Sequence, residues 1–258
     1  MSTEEARLDS RPQTTDPVRN GDVDWDQWPV EQYLHEIYEE LHPADAAVID
    51  HHNEYYRRLE PDSLARSLEF GAGPNLYPLM LAAACSRQID ALEPSRPNVA
   101  YLRRQLADGP ADHWRSFYAY CRLGNPTLPE TPEAALARVR VRPGHGLSVP
   151  EAAYDLCSMH FVAEGVTEDR GEFEALSTAF IRAARPGGHL VAAFMENLPS
   201  YRLEVGPQWP GYPVNRDIIR EVFGPHTDDL MLDRIDIDPT LPEYGESGIV
   251  LMTARRRR

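Results

Sequence analysis

Ser67-Leu68-Glu69-Phe70-Gly71-Ala72-Gly73-Pro74-Asn75 is the stretch on which the reading of this chain turns. Ser67 to Phe70 reads as a short buried strand. It runs directly into a Gly-Ala-Gly turn, and Asn75 is placed to cap a helix reaching about Ala84. Glycines between a strand and a helix let the backbone approach a ligand closely at the helix N-terminus. A second strand, Ile89 to Leu92, ends at Glu93, about 20 residues further on, where an acidic side chain can accept hydrogen bonds from both hydroxyls of a ribose. Either feature alone has a plain structural reading, a tight turn or a surface acid. Together they point to a nucleoside site.

Outward from this stretch the same alternation continues. A helix is expected over Pro97 to Leu106, with proline in its first turn. Strands follow at Val139 to Arg142, Tyr154 to Phe161 and His189 to Met195, and later at Leu230 to Ile237 and Ile249 to Ala254. Glu172 to Ala184 reads as a helix stopped by Pro186-Gly187-Gly188, and Asn215 as the cap of a helix to Phe223. Alternating strands and helices imply an α/β fold, doubly wound, with a mostly parallel sheet whose ligands bind at the carboxyl ends of the strands. Before the first strand, Tyr33, Leu34, Ile37, Tyr38 and Leu41 follow helical spacing, and a second helix is expected from about Ala44 to Arg58. These helices, within residues 23–60, are read as a cap or lid on a single domain spanning 23–258. Residues 1–22 are polar and read as disordered.

Composition narrows the class. The chain has 258 residues, 42 % of them hydrophobic, and a net charge of −15. An acidic surface repels phosphate backbones, so no nucleic-acid partner is expected, and Arg255 to Arg258 reads as a solvated tail. No apolar run reaches membrane-spanning length and the N-terminus lacks a signal-peptide pattern, so no membrane partner and a cytoplasmic location are expected. Cys85, Cys121 and Cys157 form no Cys-x-x-Cys pair and read as reduced buried thiols. His51, His52 and His145 lack metal-ligand companions, and no metal is expected. The oligomeric state is left as monomer or homodimer.

The nucleoside is narrowed by two residues. A dinucleotide fingerprint needs a third glycine where Leu76 stands. Glu69 is unfavourable beside a pyrophosphate but acceptable beside the amino group of a methionine moiety. S-adenosylmethionine (SAM), with S-adenosylhomocysteine (SAH) as product, is therefore favoured over a nicotinamide cofactor.

Glu69 to Tyr77 (EFGAGPNLY), Glu93 to Asn98 (EPSRPN), the Pro186-Gly187-Gly188 turn, the early Tyr33-Leu34-x-x-x-Tyr38 pattern, Trp114 and Pro213-Val214-Asn215 fall in the order seen in one family. From roughly Trp28 to its end the chain resembles the nicotinamide, phenylethanolamine and indolethylamine N-methyltransferases. That resemblance implies a Rossmann-like methyltransferase fold, with a seven-stranded sheet whose last strand is antiparallel. It implies Tyr33 and Tyr38 on a lid at the methionine end of SAM, and Glu69, Gly71, Gly73 and Tyr77 around the methionine and sulfonium. It implies Glu93 on the ribose, Asn98 near the adenosine, and Ser158, Met159, His160 and Phe161 bordering the pocket. After the fifth strand, Glu196 is the best match to the acid that faces the acceptor. Ser200, Tyr201 and His160 are further substrate-side candidates, and Tyr33 joins Glu196 as a catalytic candidate. The family's Asp-Val step after the third strand is replaced here by Arg142-Pro143-Gly144-His145, so adenine must be recognised without that carboxylate.

The expected activity is methyl transfer to a small-molecule acceptor, an amine nitrogen by resemblance. O-methylation and a SAM-binding protein without turnover are the alternatives. Tyr33, Tyr38 and His160 also have readings as core residues. Glu69 and Glu93 do not, because unpaired buried carboxylates are costly. Trp209 is placed to close the acceptor pocket or to lie on a mobile loop.

Overall fold

The structure is a computed structural model describing residues 16–258. Seven strands form one sheet: β1 (Ser67–Phe70), β2 (Ile89–Glu93), β3 (Val139–Pro143), β4 (Tyr154–His160), β5 (Ala184–Glu196), β6 (Thr227–Asp236) and β7 (Gly248–Arg256), in the order β3-β2-β1-β4-β5-β7-β6. β1 to β5 run parallel, and β7 pairs antiparallel with both β5 and β6. The helices are α1 (Val30–Tyr38), α2 (Pro43–Tyr56), α3 (Tyr77–Ala82), α4 (Arg96–Asp108), α5 (Asp112–Gly124), α6 (Pro132–Leu136), α7 (Arg170–Ala183) and α8 (Arg216–Phe223).

Strands covered on both faces must be apolar on both, and β4 is buried at every position. On one face Leu156 and Ala91 pack with residues of α1 to α6, including Tyr38, Tyr77, Trp114 and Phe117. On the other, Cys157, Met159, Leu68 and Phe70 pack with Phe173 and Phe180 of α7 and Phe223 of α8. Side-chain caps fix where helices begin: Ser95 accepts from Asn98 N, Asp169 from Glu172 N, and Asn215 from Asp217 N and Ile218 N.

Several local expectations are corrected. Asn75 does not cap α3; it is buried, and its Nδ2 donates to Tyr38 Oη at 3.0 Å, so α3 begins two residues later. The Pro186-Gly187-Gly188 turn does not stop α7, which already ends at Ala183; the turn lies within the start of β5, with Gly187 at φ +76°. α5, which the sequence reading assigned to no element, buries Trp114, Phe117 and Tyr118. Of the segment expected to be disordered, 1–15 lie outside the described residues. Residues 16–22 are held: Val18 N donates to Glu168 Oε2 and Asn20 N to Glu172 Oε2, and Asn20–Asp22 form a 3-10 turn. No described helix is long and apolar enough to cross a membrane.

Candidate functional site

The chain order reverses at β1, whose neighbours are β2 on one side and β4 on the other. At such a point the loops leaving the strands diverge and leave a crevice beyond their carboxyl ends. A cavity opens there, lined by the Gly71 to Asn75 turn, Glu93, Asn98 and His160, and closed above by the N-terminal segment and the loops that follow β5 and β6.

Two glycines shape its floor. Gly71 (φ +71°) and Gly73 (φ +56°) are both left-handed, a conformation that a side chain disfavours by roughly 1–2 kcal/mol. A Cβ on Gly71 would lie 2.6 Å from Val162 Cγ1, whereas one on Gly73 would meet no protein atom within 4 Å. Gly71→Ala is therefore expected to lose more stability than Gly73→Ala, whose loss stays near the roughly 1–2 kcal/mol of backbone strain alone. Denaturant titration of the two variants reads the difference.

Glu93 ends β2 and is buried. Its Oε2 accepts from Gly73 N at 2.8 Å; its Oε1 accepts from Ser95 N at 2.9 Å and from Asn98 Nδ2 at 3.2 Å. Burial pushes its carboxyl above the usual range, against the pull of these donors. Asn98 Oδ1 beside it is buried and has no partner. The loop after β3, Gly144 to Gly146, lines the cavity with Phe70 and Leu92 and brings the His145 imidazole and no carboxylate.

Of the residues singled out in the sequence, Tyr33, Tyr38, Gly71, Gly73, Glu93, Asn98, His160, Phe161 and Tyr201 line the cavity. Glu69, Tyr77, Ser158, Met159, Glu196 and Ser200 do not. Glu69 lies behind the wall, where Ser158 Oγ donates to its Oε2 and His160 Nδ1 stands 2.9 Å from its Oε1. With His160 Nδ1 donating to Glu69, its Nε2 is left to accept from His52 Nδ1, 3.1 Å away. Glu69 thus orients His160. Met159 points to the opposite face of the sheet, into the α7 layer, because strand residues alternate. Tyr77 stacks on Phe117 in the core, and Ser200 donates to Glu168.

Glu196 is bound by Arg234 Nε at 2.7 Å and Ser247 Oγ at 2.8 Å. Burial would raise its carboxyl, but these hydrogen bonds and the Arg234 charge hold it below the usual range. A carboxylate neutralised in this way and set outside the cavity has little left for a ligand. The Tyr33 and Tyr38 hydroxyls are 3.5 Å apart, and burial raises Tyr33 to about 12 and Tyr38 further. Both phenols keep their protons at neutral pH and are not bases.

Residues given no role in the sequence reading complete the site. Asp45, in the first turn of α2, lines the cavity and is buried, and its Oδ2 has no partner. Burial, reinforced by Asp238, raises its carboxyl to about 8. Trp25 and Trp28 also line the cavity. Trp209 packs behind them: it stacks on Trp25 at 5.3 Å and meets Trp28 edge-on at 4.9 Å. An Asp in a first helical turn is common as a dipole partner, so only its burial reveals it. Among the described residues no lysine or arginine lines the cavity, while Asp45, Glu93, Asp236, Asp238 and Glu246 do. Among the described residues no cluster of three or more His, Cys, Asp or Glu is arranged to hold a metal.

No family model and no curated protein matches the sequence. Solved structures do. The N-methyltransferase NodS from Bradyrhizobium japonicum WM9, in complex with SAH, superposes with a TM-score of 0.53 at 12 % identity, over 92 % of this chain and 94 % of that one. A putative SAM-dependent methyltransferase from Listeria monocytogenes gives 0.52 at 9 %, over 83 % and 99 %. The [4+2]-cyclase SpnF gives 0.54 at 15 %, over 86 % of each chain. At these identities the likeness is one of fold, and a fold does not settle a reaction. The seven-stranded sheet with its antiparallel β7, wound on both faces by helices, is the fold of the class I SAM-dependent methyltransferases.

Proposed function

We propose that the protein is a SAM-dependent methyltransferase acting on a small molecule, with an amine nitrogen as the acceptor. The observation that carries the cofactor assignment is Glu93, held at the end of β2 by Gly73, Ser95 and Asn98, with one lone pair of its Oε2 left to accept from a ribose hydroxyl. The residues present fit SAM in three further ways. Asn98 Oδ1 is a buried acceptor without a donor. The Gly73 backbone leaves the space that a side chain would fill. Among the described residues the lining has carboxylates and no fixed cation, which suits a ligand carrying a sulfonium and an ammonium.

SAM, when bound, supplies a methyl group already activated on a sulfonium. The protein's task is alignment and exclusion of water. Tyr33, Tyr38 and His160 form part of the wall, and Asn75 Nδ2 and Tyr33 Oη fix the Tyr38 hydroxyl. Trp25, Trp28 and Trp209, zipped edge and face, close the side toward solvent. The resemblance of EFGAGPNLY and EPSRPN to small-molecule N-methyltransferases supports nitrogen over oxygen.

Incubation with SAM labelled in its methyl group, together with small amines and matched alcohols, tests this reading. Label on an amine nitrogen, with SAH formed in equal amount, is expected. Label on alcohols and no amine would move the acceptor to oxygen.

A further inference from the structure

Of the five carboxylates that line the cavity among the described residues, four have donors. Glu93 has its three N–H groups, Asp238 accepts from Ala44 N, Thr240 N and Thr240 Oγ1, Asp236 pairs with Arg234, and Glu246 Oε2 accepts from Tyr244 N. Asp45 is the fifth. It is 95 % buried, and among the described residues it accepts no hydrogen bond and forms no ion pair. A buried carboxyl without a partner is destabilising unless something that binds there completes it. Around it stand Tyr33 and Tyr38, and Tyr33 meets Trp28 edge-on at 5.1 Å. Tyr201, also in the lining, meets Tyr244 at 5.7 Å. Aromatic faces attract organic cations and exclude water.

We propose that Asp45 is the acceptor anchor, and that the acceptor is a protonated primary or secondary amine carried on a compact apolar body that lies against Trp28, Tyr33 and Tyr201. The proposal rests on the methyltransferase reading and names its substrate class and the residue that binds it. It takes the role expected of Glu196 and gives it to Asp45, because Arg234 already neutralises Glu196.

The chemistry balances. Asp45 ionises when the ammonium binds, releasing its own proton to solvent, and then takes a proton from the ammonium. The freed nitrogen lone pair forms the new C–N bond as the methyl–sulfur bond breaks, and that bond's electron pair stays on sulfur. Positive charge passes from sulfur to the methylated nitrogen, and Asp45 ends the step protonated, as it began, so the one proton released per turnover is the one it lost when the ammonium bound. The titratable groups near enough to Asp45 to feel its charge are Asp238, Tyr33, Tyr38 and Tyr77. The three phenols stay protonated, so Asp45 itself sets the pH response of binding.

The test is calorimetric titration of benzylamine, N-methylbenzylamine and cyclohexylmethylamine, with benzyl alcohol as the neutral control, into SAH-saturated wild type and Asp45→Asn. At pH 8.5 at least one amine is expected to bind wild type at least tenfold more tightly than Asp45→Asn, and benzyl alcohol is expected not to discriminate. In wild type the amine affinity rises from pH 6.5 to 8.5, and in the variant it does not. Melting curves verify that the variant is folded. Equal amine affinity in both proteins, or no binding of any amine to SAH-loaded wild type, overturns the proposal. Failure of SAH to bind wild type instead overturns the cofactor reading beneath it.

Discussion

Glu93→Ala is expected to weaken SAH binding by a factor of about 100. A ribose hydroxyl donating to the carboxylate contributes roughly 1.5–3 kcal/mol, and each 1.4 kcal/mol is about tenfold in affinity. The environment of Glu93 supports the upper part of that range. The carboxylate is buried and fixed by Gly73 N, Ser95 N and Asn98 Nδ2, so it does not have to be ordered when the ligand arrives. Removing it also leaves two backbone N–H groups of the site without an acceptor. Glu93→Gln separates the two effects, since it keeps the shape and removes one acceptor. It is expected to lie between wild type and Glu93→Ala, with a melting temperature near that of wild type. Unchanged SAH affinity in Glu93→Ala would remove the ribose assignment.

Asp45→Asn is expected to stabilise the folded protein while it removes amine affinity. The sign follows from the titration. In the fold Asp45 titrates at about 8, above its unfolded value near 3.8. Between those values the folded state holds a proton that the unfolded state has lost, so the stability contributed by protonated Asp45 is complete below about pH 4 and declines up to about pH 8. Taken at face value the shift is an upper bound of roughly 6 kcal/mol. The usual cost of an unsatisfied buried polar group, on the order of 1–3 kcal/mol, is the better measure for a residue on a cavity wall that water can reach. Asparagine keeps the shape and never carries the charge. The variant's advantage should therefore be small near pH 4 and reach several degrees of melting temperature by pH 8, at about 2–4 °C per kcal/mol for a chain of this size. A pH-independent difference, or a loss of stability at pH 8, would mean that Asp45 is satisfied in the fold. Stability gained where function is lost is expected of a binding residue held without its partner.

The sheet was legible because strand and helix periods alternate along the chain, and because Gly-Ala-Gly and Glu93 mark the ends of adjacent parallel strands. Chemistry that lives at strand ends follows from the order of elements. The helices were less legible at their boundaries: Asn75, a plausible cap, is turned instead toward Tyr38 by burial. Side chains whose role depends on distant segments were not legible. Glu196 stands at the expected place after β5, but its neutralisation comes from Arg234 on β6, which pairs with the next strand, β7. Met159 faces the wrong layer by the alternation of a strand buried on both sides, where apolar pattern gives no sense of direction. Asp45 carries no sequence signature beyond that of a first-turn acid; its burial comes from α1 and the loop after β6. Trp25 and Trp28 gained their role in the same way, from a loop beyond β5 that brings Trp209 against them.

The measurement that reaches the central claim most directly is calorimetric titration of SAH into the wild-type protein. One-to-one binding at micromolar affinity or tighter, with a negative heat-capacity change from burial of the adenine, is the predicted result. No binding of SAH, together with none of SAM, would contradict the account and leave the cavity at the end of β1 to another ligand.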